Sequence, residues 1–246
     1  MFYRNCRISI YACITACLFS MSTPVNADIV ISGTRVIYNE RAKEVSVRLE
    51  NKGVKPLLVQ TWIDKGNEDI APEKLQVPFT IAPPVFRIEP NRGQSLQVVA
   101  THAGNVLPKD RESVFWLNVL EIPPKSADKE QNQLQLAFKT RIKLFWRPQN
   151  LKGSPTDAAS QLKWKLVREG NQVSMQVRND SAWHVSFSSA TLISGAKKYE
   201  VDASMVAPLS QATFPVKGLS GQLSGGKLDY VTINDFGGGV EASASF

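Results

Sequence analysis

The sequence predicts an all-β protein, built as two antiparallel β-sandwich domains joined by a short linker. Three observations carry that expectation. Apolar runs of strand length recur at short spacing, turn residues fill the gaps between them, and no stretch sustains a helical period with caps.

Residues 1–27 read as an address rather than as part of the fold. Arg4 and Arg7 form a positive start, Ile8 to Met21 is a mostly apolar run, and Val25-Asn26-Ala27 supplies the small residues a signal peptidase reads. Cleavage after Ala27 would begin the mature chain at Asp28. The apolar run falls short of the roughly 20 residues a membrane span needs, and Ser9, Thr15 and Ser20 interrupt it. Cys6, Cys13 and Cys17 all lie in this segment, so the exported chain would hold no cysteine. Disulfides are permitted outside the cytoplasm, yet 219 of the 246 residues remain, enough to bury adequate cores without them. Removing Arg4 and Arg7 takes the formal net charge from +7 to +5, with bases and acids interspersed. That surface argues against nucleic acid as a partner.

From Asp28 onward, candidate strands run from Ile29 to Tyr38, Glu44 to Glu50, Leu57 to Ile63, Ser95 to Thr101, Val114 to Ile122 and Leu134 to Trp146. Between them stand Asn51-Lys52-Gly53, Lys65-Gly66-Asn67, Pro83-Pro84, Pro90-Asn91-Arg92-Gly93 and Pro123-Pro124, all of them turn or breaker chemistry. About 120 residues, 28–147, suit an immunoglobulin-like sandwich without its inter-sheet disulfide. The stretch 148–160 is rich in Pro, Gly, Ser, Asn and Asp and reads as the linker. Strand pattern resumes over 161–246: Leu162, Trp164 and Leu166 alternate, as do Val173, Met175 and Val177 across a Gly170-Asn171 turn. Trp183 to Ile193, Lys198 to Asp202, Ala212 to Lys217, Leu228 to Ile233 and Val240 to Phe246 complete a second, smaller all-β domain.

The run Leu134 to Trp146 is unusually long. Leu134, Leu136 and Phe138 alternate with Gln135, Ala137 and Lys139, and at about 3.3 Å per residue the whole run spans roughly 40 Å. Lys139, Arg141 and Lys143 lie further in. Pattern alone leaves two readings open. The apolar row is buried in its own core, or it forms a surface that pairs with another polypeptide.

Catalytic chemistry is nearly missing from the sequence. His102 and His184 fall in different predicted domains without ligand-spaced partners, which marks them as surface or boundary residues. No GxSxG, HExxH or P-loop pattern occurs. Gly237-Gly238-Gly239 reads as an inter-strand turn because no helix signal follows it. Asn179-Asp180-Ser181 likewise reads as a turn. No enzyme, cofactor, metal or small-molecule substrate is implied.

Several motifs then occur in order: Thr34-Arg35-Val36-Ile37-Tyr38, Pro83-Pro84-Val85-Phe86-Arg87-Ile88-Glu89-Pro90, Asp110-Arg111-Glu112-Ser113, Phe115-Trp116-Leu117-Asn118, Glu121-Ile122-Pro123-Pro124, Ile142-Lys143-Leu144-Phe145-Trp146-Arg147-Pro148 and Ile233-Asn234-Asp235-Phe236-Gly237. Together they resemble the PapD/FimC-like periplasmic pilus chaperones, over essentially the whole mature chain.

The resemblance implies a boomerang of two immunoglobulin-like domains that holds a fimbrial subunit and delivers it to an outer-membrane usher. It also implies donor-strand complementation, in which Leu134, Leu136 and Phe138 complete the subunit's unfinished sandwich. Arg35 and Lys143 match the pair that grips the subunit's C-terminal carboxylate, and Glu112, Arg147 and Asp235 match an inter-domain ion-pair network. Arg87 is assigned as an internal structural cation. Trp116 and Trp146 depart from the tyrosine frequent in relatives. The short, polar connection from Pro124 to Gln133 resembles the short-loop branch of the family. Self-association of the free chain through its apolar edge is a further expectation. Two other classes stand beside this one: an exported fibre subunit or adhesin, and a carbohydrate-binding sandwich. A subunit would carry a donor extension at its start and often a disulfide.

Overall fold

The computed structural model describes residues 28–101, 103–124, 135–170, 172–219 and 225–245. The expected signal segment and cleavage point, His102, Leu134 with the connection before it, and Asn171 lie outside these residues. The first half contributes β1 (Ile29–Ile31), β2 (Arg35–Asn39), β3 (Val45–Asn51), β4 (Leu57–Asp64), β5 (Phe79–Ala82), β6 (Val85–Ile88), β7 (Gly93–Ala100), β8 (Ser113–Ile122) and β9 (Phe138–Arg147). They form two sheets, ordered β1-β3-β7-β5 and β2-β9-β8-β4-β6. The inner faces meet through alternate residues such as Val47, Leu49, Leu96 and Val98 on one side and Val59, Leu117, Val119 and Leu144 on the other, all buried. Tyr38, Phe79, Phe115 and Trp146 pack as an aromatic cluster with neighbouring centroids 4.9–6.0 Å apart. The tryptophan at 146 therefore keeps a core role.

Ile29 to Tyr38 is two strands rather than the single one expected. β1 pairs antiparallel with β3, then the chain crosses through Gly33, at φ 107°, and β2 pairs parallel with β9 in the opposite sheet. A period-two pattern is continuous across such a crossing and does not reveal it. β9 is shorter than the run read from the sequence, for regular pairing starts only at Phe138. β5 and β6, four residues each around Pro83-Pro84, escaped the sequence pattern because they are too brief to show alternation.

The second half contributes β10 (Lys163–Glu169), β11 (Gln172–Asn179), β12 (Val185–Ser194), β13 (Lys197–Glu200), β14 (Met205–Val206), β15 (Ser210–Pro215), β16 (Lys227–Ile233) and β17 (Gly239–Ser245). One sheet runs β10-β11-β15; the other runs β13-β12-β16-β17, with β14 beside β12. Trp164, Phe187, Phe214 and Tyr230 fill the space between them.

The segment 148–160 is not linker throughout. Pro155–Ser160 is a helix, capped by Ser154, whose hydroxyl oxygen accepts from the Asp157 N–H, with Pro at the first position. Its Ala158 and Ala159 are buried in the second core, and the Tyr230 hydroxyl donates to the Ala159 carbonyl. One and a half turns are too few for a helical period to show. The capping signature Ser154-Pro155-Thr156-Asp157 was the available signal.

Candidate functional site

Strand β9 has two halves with different neighbours. β8 flanks one side from Phe138 to Trp146, whereas β2 flanks the other side only from Lys143 to Arg147. Among the described residues, nothing pairs with the second side from Phe138 to Ile142. The backbone groups there form an open sheet edge. Leu136 is 53% exposed and Phe138 61%, so neither belongs to the core of its own domain. Of the three donor side chains expected from the sequence, these two lie on the surface, and Leu134 is outside the described residues. Leu136 also precedes the regular strand.

Arg35 and Lys143 face each other as register partners at the point where β2 begins and the open edge ends. Arg35 Nη1 donates to the Ile233 carbonyl at 2.8 Å, and its Nε is buried without a partner. Lys143 Nζ donates to Ser186 Oγ at 3.1 Å. Among the described residues neither cation forms an ion pair. Burial pushes the Lys143 ammonium below its ordinary range, and the neighbouring Arg35 charge adds to the effect. Burial likewise lowers Arg35, with Asp235 opposing it. Two half-buried, unneutralised cations side by side make a receptor for an anion.

The other cations of β9 are already neutralised. Arg141 Nη2 donates to Asp64 Oδ1 at 2.6 Å and Nη1 to Glu68 at 2.8 Å, while Lys139 donates to Glu68 at 2.6 Å. The guanidinium also stacks over Trp116, 5.0 Å from the ring centre. Burial works to raise the Asp64 carboxyl. Hydrogen bonds from Arg141, Asn118 and the Gly66 N–H outweigh it and hold the group below the usual carboxylate range. A depressed folded value means that stabilisation is complete above the ordinary carboxylate pKa and lost as pH falls through the folded one. Asp64→Asn is therefore expected to cost about 1–3 kcal/mol at pH 7 and progressively less in acid. Urea unfolding of both proteins at pH 7 and pH 3 measures this; an equal difference at the two pH values contradicts it.

Glu112, Arg147 and Asp235 come together between the domains, as the resemblance implied. Arg147 Nε donates to Glu112 at 2.5 Å, and its two terminal nitrogens donate to Asp235 at 2.5 and 2.6 Å. The Glu112 side chain is only 2% exposed. Its second oxygen accepts from the His184 backbone N–H at 2.8 Å, and the imidazole lies at 3.2 Å. His184 is at the domain boundary but buried, packed against Phe145. Arg147 stacks on Trp183 as well. His184, Trp183 and Ser186 were missed as site residues, since nothing local in a sequence shows which loop of a second domain meets the first.

Arg87 corrects an expectation. It is an exposed surface residue paired with Glu89 at 2.7 Å, not an internal cation, because it points away from the core on edge strand β6. Gly237 and Asn179 behave as expected. Asn234 organises the turn around Gly237, and the Asn179 carboxamide oxygen accepts from the Ser181 N–H in a tight turn. Among the described residues, no group of acidic, histidine or cysteine side chains is arranged to hold a metal.

Comparison with known proteins gives a consistent picture. Residues 28–152 match the family described as "Pili and flagellar-assembly chaperone, PapD N-terminal domain", and residues 157–244 match "Pili assembly chaperone PapD, C-terminal domain". The chain is 49% identical to the probable fimbrial chaperone YadV of Escherichia coli strain K12, over 99% of each chain. The crystal structure of the YadV chaperone superposes with a TM-score of 0.78, covering 89% of this chain and all of that one at 50% identity. The SafB chaperone of Salmonella enterica, solved in complex with the SafA pilin, superposes with a TM-score of 0.72 at 27% identity, covering 92% of this chain and 98% of that one.

Proposed function

The chain belongs to the PapD family of pilus-assembly chaperones, and from that membership we propose that the start of β9 is lent to a fimbrial subunit whose C-terminal carboxylate rests on Arg35 and Lys143. The protein is a periplasmic chaperone that binds and stabilises pilus subunits by donor-strand complementation and passes them to an outer-membrane usher. It belongs to a family of chaperones, not of enzymes. Residues 1–27 serve as the export signal, cleaved after Ala27, and Leu134 joins Leu136 and Phe138 in the donor row.

The single observation that carries the site assignment is the open edge ending at two unpaired cations. A guest strand along Phe138 to Ile142 would continue the line of β2. With its carboxylate at Arg35 and Lys143, it would run parallel to β9, as β2 does. Main-chain bonds along the edge supply pairing, the exposed apolar side chains enter the guest's groove, and the charge-assisted contact fixes the register. An incomplete subunit sandwich exposes both an edge and a groove, so covering both suppresses aggregation during folding. Glu112, Arg147 and Asp235 hold the second domain at a set angle to this surface.

Lys143→Met and Arg35→Ala each test the anchor. Capture of the pilus subunit encoded beside this gene, measured by co-purification from the periplasm, is expected to fall about ten- to hundredfold for either. The Lys143→Met melting temperature should not drop, because its charged form is disfavoured by burial in the folded state. In the wild type, raising the pH through the lowered Lys143 value weakens capture while that lysine's contribution to stability improves. Normal capture by Lys143→Met, or its unfolding, would remove the assignment.

A further inference from the structure

Phe236 is the most exposed large apolar side chain among the described residues, at 96%. Single exposed apolar residues are ordinary; this one is held in place on every side. The Asn234 carboxamide oxygen accepts from the Phe236 and Gly238 N–H groups at 3.0 and 2.9 Å, which makes the turn rigid. The residue before it, Asp235, is bound to Arg147 of the first domain. The residue after it, Gly237, sits at φ +84° so close to Thr34 that an added Cβ would lie 2.6 Å from Thr34 Oγ1. Ile233 accepts from Arg35 on the same turn. Three ties to the first domain thus set an aromatic ring beside the anion receptor.

Phe236, Val240, Phe145 and Arg35 line one cleft of about 200 Å³. That is smaller than the usual small-molecule pocket and offers room for one or two side chains. The cleft's two carboxylates, Glu112 and Asp235, are both held by Arg147, so that Arg35 and its strand partner Lys143 just outside are the cations left to take an anion. The chemistry that fits is an anion with an apolar group close by, on one molecule. Building on the carboxylate anchor above, we infer that Phe236 is a specificity-determining contact of the second domain, taking an apolar side chain within the last three residues of the captured subunit. The carboxylate sets where the guest ends, and the Phe236 ring selects which ends are accepted. With the backbone of the turn already fixed, only the ring's two side-chain torsions remain to be ordered when it is covered.

The test uses the full-length chaperone, co-expressed with the pilus subunit encoded beside its gene. Phe236→Ala is expected to keep the wild-type melting curve, since the ring contacts almost nothing in the free protein, and to lower capture about tenfold. Replacing each of the subunit's last three residues by Ala should locate one position whose loss also lowers capture and adds no further loss in the Phe236→Ala background. Lys143→Met, run in parallel, separates the two ideas. Full capture by Phe236→Ala with weak capture by Lys143→Met overturns this inference and leaves the anchor standing. Full capture by Lys143→Met removes the anchor itself. Additive losses at all three subunit positions, or a defect confined to usher-dependent fibre assembly, place the partner of Phe236 elsewhere and also overturn it.

Discussion

Phe138→Glu, and Leu136→Glu beside it, should abolish capture of fimbrial subunits while leaving the chaperone folded. Both side chains are more than half exposed in the free protein, so their replacement removes little packing. On the donor-strand assignment proposed above, the same positions would enter an apolar groove of the subunit. Each loses roughly 1.5–3 kcal/mol of burial, and a carboxylate must then be desolvated without a partner, at several kcal/mol more. Together these exceed a thousandfold in affinity for a single substitution. Circular dichroism and the melting temperature should match the wild type, and co-purified subunit should disappear. Retained capture would mean that the donor row has been placed in the wrong register.

Arg147→Met carries the second large effect, this time on the chaperone itself. The guanidinium serves two carboxylates at once, and Glu112 is almost fully buried. Without Arg147, Glu112 keeps its bond from the His184 backbone, but its other carboxylate oxygen is left buried without that partner. Breaking such a buried pair by removing one partner costs about 3–5 kcal/mol. Equilibrium urea unfolding measures the loss, and small-angle scattering reports whether the angle between the lobes has widened. Adding Glu112→Gln in the same chain should recover part of the stability, because it replaces the buried carboxyl that has lost its guanidinium partner. A double variant less stable than the single one would show that Glu112 matters chiefly through His184.

The sandwich class was readable because alternation in segments such as Leu162 to Leu166 and Val173 to Val177 reports one buried face directly. The apolar row at Leu136 and Phe138 was also readable as an alternation longer than one core covers, while its reading as a donor row came only from the resemblance. Its availability was not readable. Whether an apolar row is buried or exposed depends on which strand lies alongside, and β2 stops at Lys143, a matter of how far another segment reaches. The crossing between β1 and β2 was hidden for a similar reason, because the faces alternate identically before and after it. Arg87 was misplaced since proline-rich surroundings say nothing about edge position. Ion pairs such as Arg141 with Asp64, 77 residues apart, come only from the fold. The motif resemblance supplied Arg35, Lys143, Glu112, Arg147 and Asp235 where local chemistry could not.

Each lobe closes around four rings packed tilted or edge to face, Tyr38, Phe79, Phe115 and Trp146 in one and Trp164, Phe187, Phe214 and Tyr230 in the other, and no sulfur bridge spans either pair of sheets. All three cysteines of the chain precede residue 28, so closing these two lobes calls on no thiol oxidant and no isomerase for disulfides.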